Sequence, residues 1–292
     1  MTLPPCADYS RQLHEPLYGI ISQADAYFML EYPAPFGQKA LPESTLNPAI
    51  FQHLASVPRS NCVLIRQPLA STDTDGKITF FAANTQTHKL YELSLESADD
   101  LFNIDIAALL AGDVIAPRTE PLLLICANGK RDICCSTYGV AFYNAIKPML
   151  GENVWQCSHI GGHRFAATGI TFPMAVAYGY LDPEHAPMLV DHISNGTVWL
   201  DKLRGDLRYS EVLQAADYFL RQQLNEIRHD ALTLITTVQS ERDWQVAFEH
   251  NGELVYITVE EGELLEVLAG TGDTFFKQTH PYRVINTQEF NP

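Results

Sequence analysis

The stretch PLLLICANGKRDICCSTYGVAFYNAIKPML, residues 121–150, reads as a strand, a loop and a helix in direct succession. PLLLICA is a short apolar run of strand length. STYGVAFYNAIKPML has helical spacing of its apolar residues, with Ser136 placed to cap it. The loop between them is polar and glycine-containing. Downstream, NVWQCSHI reads as another strand, and ITFPMAVAYGYL as one or two more, broken near Pro173. DPEHAPMLVDHISNG is a helix opened by Asp182 and Pro183 and ended by Gly196. SEVLQAADYFLRQQLNEI (210–227) has an apolar stripe at helical spacing and closes the segment; LQAADYFL is its core face.

Upstream the same order recurs. ADAYFMLEY (24–32) is a buried strand, and NPAIFQHLASV (47–57) a helix with Asn47 as cap and Pro48 at its first position. NCVLIRQP is a second strand, KITFFAAN and HKLYELSL an antiparallel pair, and ADDLFNIDIAALLAG a helix closed by Gly112. Each block is β-α-β-β-β-α, without evident sequence repetition, so two halves of related architecture are expected. VIAPRTEP (114–121) is a proline-bearing linker. From about residue 231 the chain is β-rich: DWQVAFEH and ELVYITVE alternate apolar and polar residues around Asn251-Gly252, a strong hairpin signal. The predicted fold is α/β (α+β), divided at residues 1–116, 117–230 and 231–292.

The chain has 292 residues, of which 46% are hydrophobic, enough for a sizeable core. No apolar run reaches the length of a membrane span, and MTLPPCADYSRQLHEP has neither a basic n-region nor an apolar h-region. A cytoplasmic protein is expected. The 35 acidic residues against 19 basic ones give a formal charge of −16. That repels nucleic acid and anionic membranes and favours a partner with a basic face. Six cysteines in such a chain are not a disulfide framework. Four of them, Cys126, Cys134, Cys135 and Cys157, cluster in sequence; Cys6 and Cys62 lie apart and read as bystanders.

Cys126 ends a strand and Cys135 starts a helix, where the backbone dipole and nearby Lys130 and Arg131 favour thiolate. Thiolates are what soft metals and Fe–S clusters require. SHIGGHRFAATG (158–169) adds His159 and His163. Gly161-Gly162 between them makes a helix improbable, and no glutamate intervenes as in a metalloprotease HExxH. By itself HIGGH is a turn. With the cysteines it becomes half of a Cys₂His₂ set at one end of adjacent strands, suited to structural zinc or to a mixed-ligand [2Fe–2S] cluster. The eight residues between Cys126 and Cys135 exceed the usual zinc-finger spacing and fit the larger inorganic core better.

CANGKRDICC followed by HIGGHRFA resembles the sucrase/ferredoxin-like family. EYPAPFG, the FP and YG of ITFPMAVAYGYL, LRGDLR and the QAADYFLR helix extend the resemblance over roughly residues 15 to 225. It implies a thioredoxin-like ferredoxin domain over 117–230, preceded by a thioredoxin-like domain without ligands. It further implies a [2Fe–2S] cluster held by Cys126, Cys135, His159 and His163. Arg131, Asp132 and Arg164 match motif positions expected around the cluster, and Gly161 and Gly162 let the backbone pass close to it. Cys134 matches a non-ligating position. Cys157 has no counterpart, which leaves alternative ligation or a disulfide with Cys134 open. The activity implied is electron carriage, with an Fe–S redox sensor, a structural zinc protein and a thiol oxidoreductase as competitors. The last is weakened by the lack of C-x-x-C. Sucrose hydrolysis, which the family name evokes, needs a carboxylate pair across a sugar-sized cleft, and the sequence does not display one. With no flavin or nicotinamide fingerprint, electrons must come from another protein.

Overall fold

The computed structural model describes residues 3–68 and 76–286. Its centre is a nine-stranded mixed sheet. The first half supplies β1 (Ala26–Glu31), β2 (Ser60–Arg66), β3 (Ile78–Asn84) and β4 (Lys89–Leu95). The second supplies β5 (Leu122–Cys126), β6 (Val154–Cys157), β7 (Gly169–Phe172), β8 (Val176–Tyr178) and β9 (Leu203–Asp206). The strand order is β4-β3-β1-β2-β6-β5-β7-β8-β9. In each half the first strand runs parallel to the second and antiparallel to the third, and the third pairs antiparallel with the fourth. The halves meet where β2 and β6 pair antiparallel through Ile65–Cys157 and Arg66–Gln156.

The period-two alternation of strands sorts the core. On one face of the first half Phe28, Leu30, Leu64 and Phe80 lie in a cluster with Ile50 and Leu54 of α2 (Pro48–Leu54) and Leu109 of α3 (Ile106–Ala111). In the second half Leu123 and Ile125 lie with Phe142 and Ile146 of α4 (Ile133–Leu150) and Leu189 of α5 (Ala186–Ser194). The opposite face is shared by both halves: Tyr27, Met29, Val63 and Ile65 join Leu122, Leu124, Cys126 and Cys157 in one cluster. Cys126 therefore projects into the seam between the halves.

Asn47 caps α2 with Pro48 at its first position, and Gly112 ends α3 in the left-handed region at φ 92°. Two local expectations need correction. ADDLFNIDIAALLAG is not one helix: a 3₁₀ turn, Ala98–Asn103, opens with a Ser97/Asp100 capping box, and Asp105 recaps α3 by accepting from Ala108 N. Helix α4 begins before Ser136, because the Asp132 carboxylate accepts from Cys134 N and caps it there, putting both cysteines in the first turn. Beyond these, LRGD forms the buried strand β9, and CADYSRQ forms a helix, α1 (Cys6–Gln12).

Helix α6 (Glu211–Leu224) buries Ala216 and Leu220 against Val246, Phe248, Ile257 and Val259 of a four-stranded sheet. Its strands β10 (Thr233–Gln239), β11 (Asp243–His250), β12 (Glu253–Glu261) and β15 (Tyr282–Asn286) follow the order β10-β11-β12-β15. Asn251 and Gly252 turn the β11–β12 hairpin with φ of 54° and 84°. A separate pair, β13 (Leu265–Leu268) and β14 (Phe276–Thr279), reaches back to the end of α4 that carries the cysteines.

Candidate metal centre

Strand β5 delivers Cys126 at its last residue, and α4 delivers Cys135 from its first turn. The helix lies so close to the strand end that a Cβ on Gly139 would collide with the Cys126 carbonyl oxygen. After β6, the chain turns through Gly161 and Gly162, both left-handed at φ 80° and 70°, between His159 and His163. His159 presents Nδ1 to both thiols, 3.8 Å from Cys126 Sγ and 3.7 Å from Cys135 Sγ. These three donors form one compact triad, with both cysteines buried.

His163 lies alongside, its ring centroid 5.5 Å from that of His159. Its Nδ1 is 3.2 Å from Asp132 Oδ2 and 3.2 Å from Cys6 Sγ. With Nδ1–H donated to Asp132, Nε2 is the atom left for a ligand, the arrangement by which carboxylates orient metal-binding imidazoles. Asp132 is buried and held in turn: Thr271 N donates to Oδ2 at 2.9 Å, Thr271 Oγ1 to Oδ1 at 3.0 Å, and Cys134 N to Oδ1 at 2.9 Å. Burial opposes its charge, but the donors from His163, Thr271 and Cys134 outweigh that and hold the carboxyl below its ordinary range.

The two central thiols titrate as a pair. The hydrogen bond from Cys135, against the cost of burial and with help from His159, lowers Cys126 well below a free thiol; the same bond, with burial, pushes Cys135 up. One anion is readily accommodated there, and burial beside it opposes a second.

Cys6 is not a bystander. Its Sγ is 3.7 Å from Cys134 Sγ and 3.6 Å from Asp132 Oδ2, and its N–H donates to Thr271 Oγ1 at 3.0 Å. Cys134 thus faces Cys6 and Thr271, 3.3 Å away, while Cys157 is buried on β6 opposite Cys126; all six cysteines are free. Burial pushes the Cys157 thiol up. Cys62 lines, with His159, two open cavities of about 210 and 250 Å³. Arg131 is exposed and lines the larger with Lys39. Arg164 donates to Glu15 Oε1 at 2.6 Å and lies over the Phe165 ring. Thr271 and Cys6 carried no motif signal, since they reach the site from segments more than a hundred residues away in sequence.

The model of the sucrase/ferredoxin-like family matches residues 17–205, and the chain belongs to that family. It is similar to two proteins called "Altered inheritance of mitochondria protein 32". One, from Meyerozyma guilliermondii, is 33% identical over 98 residues, 30% of this chain and 35% of that protein. The other, from Debaryomyces hansenii, is 28% identical over 99 residues, 30% of this chain and 36% of its own length. The chain thus spans about a third of the length of these curated relatives. No solved structure matches it. No helix among the described residues is long and apolar enough to cross a membrane.

Proposed function

We propose that this protein carries electrons on a [2Fe–2S] cluster held by Cys126, Cys135, His159 and His163. The observation that carries the reading is the convergence of two buried thiols on His159 Nδ1, beside a second imidazole whose Nδ1 is fixed by a buried carboxylate. A thiolate pair next to an imidazole pair is the donor set of mixed-ligand two-iron clusters. Bound there, such a group would supply one-electron chemistry at a potential raised above that of all-cysteine ferredoxins, from roughly −400 mV toward the −150 to +300 mV range.

The side chains divide the remaining work. Cys126 and Cys135 supply the negative charge. His159, whose Nδ1 faces the thiols, also lines two open cavities, through which its ring would exchange a proton with solvent. His163 turns Nδ1 toward Asp132 Oδ2, 3.2 Å away, which leaves Nε2 for a ligand. Electron uptake coupled to a proton on an imidazole follows, and the midpoint potential is expected to fall with rising pH. The net charge of −16 favours docking to a basic face of a reductase or acceptor. A regulatory redox sensor would use the same centre. Zinc is the alternative occupant, because the compact Cys126–Cys135–His159 triad would also suit one tetrahedral ion.

Histidine substitution tests the ligand set. His163→Cys should retain a visible chromophore and lower its potential, since a neutral donor becomes anionic. If His159→Ala and His163→Ala both leave the spectrum unchanged, the assignment is wrong. A potential flat between pH 6 and 10 on voltammetry would remove the proton coupling.

A further inference from the structure

Arg204 of β9 is 1% exposed, yet among the described residues no carboxylate lies within ion-pair distance of it. The other buried arginine, Arg221, behaves otherwise, pairing with Asp217 at 2.8 Å, and the half-buried Arg208 pairs with Asp206 at 2.7 Å. The acceptors of Arg204 are two carbonyls, Gly161 O at 3.3 Å and Ile20 O at 3.4 Å, and its Nε has no hydrogen-bond partner. Burying a cation on so few acceptors is costly unless an anion shares the site.

The guanidinium lies against the histidine loop. A Cβ on Gly162 would collide with Arg204 Nη2, so glycine there makes room for the cation. Cys126 and Cys135 both act electrostatically to keep it charged, while burial brings its pKa down to about 10.

We propose that Arg204 is the internal counter-charge of the metal centre and sets its potential, a positioning residue that favours the reduced state. The inference rests on the cluster reading above. A two-iron core with two thiolates and two neutral imidazoles is neutral when oxidised and singly anionic when reduced. One electron, taken from dithionite in the test below, adds to the core; no bond to a protein residue forms or breaks. A fixed cation in a dry site stabilises the added charge, and its removal should weaken reduction.

The full chain, loaded with iron, is compared with Arg204→Gln and Arg204→Lys by dithionite-poised spectroelectrochemistry. Gln should disfavour reduction about tenfold, which is 59 mV for one electron; Lys should restore most of the difference. An iron-loaded Arg204→Gln protein with the wild-type potential overturns the inference. So does an Arg204→Gln chain that folds without taking up the cluster, because the neutral oxidised state does not need the cation. Should Gln prevent folding, Arg204→Met is read the same way, and failure of both makes Arg204 structural and overturns the inference. A wild-type chain that binds no iron instead overturns the cluster reading itself.

Discussion

Asp132 joins three tasks in one carboxylate. It caps α4, it receives both donors of Thr271, and it holds Nδ1 of His163. Asparagine caps helices nearly as well as aspartate, so Asp132→Asn should leave thermal stability within about 1 kcal/mol. It removes the charge facing His163, and loss of such partners typically weakens metal binding by roughly 10- to 100-fold. Competition of the variant against a chelator reads this directly; unchanged affinity would show that Asp132 is a cap alone. At this scale Cys126, Cys135 and His159 were legible, because two thiols and an imidazole at the ends of adjacent strands have few other uses. Cys6 and Thr271 were not legible. A thiol and a hydroxyl gain meaning here only from long-range folding, which places α1 and the segment after β13 against Asp132.

Among the elements, the crossing of α4 over β5 decides whether the thiols meet. Gly139 is the contact point, and its missing Cβ is space occupied by backbone, which cannot move aside as a flexible side chain can. Gly139→Ala should destabilise the protein by about 1–3 kcal/mol through overpacking and reduce iron uptake by displacing Cys126 from Cys135. Urea unfolding of the apo chain with iron assay of the loaded one checks both; a variant of wild-type stability and loading would refute the close packing. Most elements announced themselves through punctuation that the structure respects, such as Asn47-Pro48, Gly112 and Asn251-Gly252. Strand β9 did not. LRGD is polar in composition, yet all four residues are buried: Asp206 pairs with Arg208, and Arg204 lies against the histidine loop, placements that no periodicity announces. The start of α4 was misplaced because Asp132 and Ser136 are both good caps, and only the fold shows Asp132 taking the Cys134 amide while Ser136 donates to Ile133 O.

For the molecule as a whole, the two halves are also joined away from the metal centre. His88, in the turn after β3, packs its ring 4.6 Å from that of His229, and His229 Nε2 is 3.3 Å from Asp206 Oδ2. Burial first, then Arg208 and His229, hold the His88 pKa down to about 4. An unfolded histidine titrates near 6.5. Because the folded value is the lower one, the stabilisation is fully present above about pH 6.5 and is lost as pH falls toward 4. After allowance for partial exposure it is on the order of 2 kcal/mol. His88→Asn, which tolerates the φ of 52° at that position, should flatten the fall in urea midpoint between pH 6.5 and 4. An unchanged slope would place the acid sensitivity elsewhere.

What occupies the cysteine–histidine site decides the chemistry of this protein. Metal analysis of the purified full chain, with EPR after dithionite reduction, should find about two irons per chain and a [2Fe–2S] signal that Cys126→Ser abolishes. One zinc per chain with no iron, or iron that survives Cys126→Ser unchanged, would contradict it.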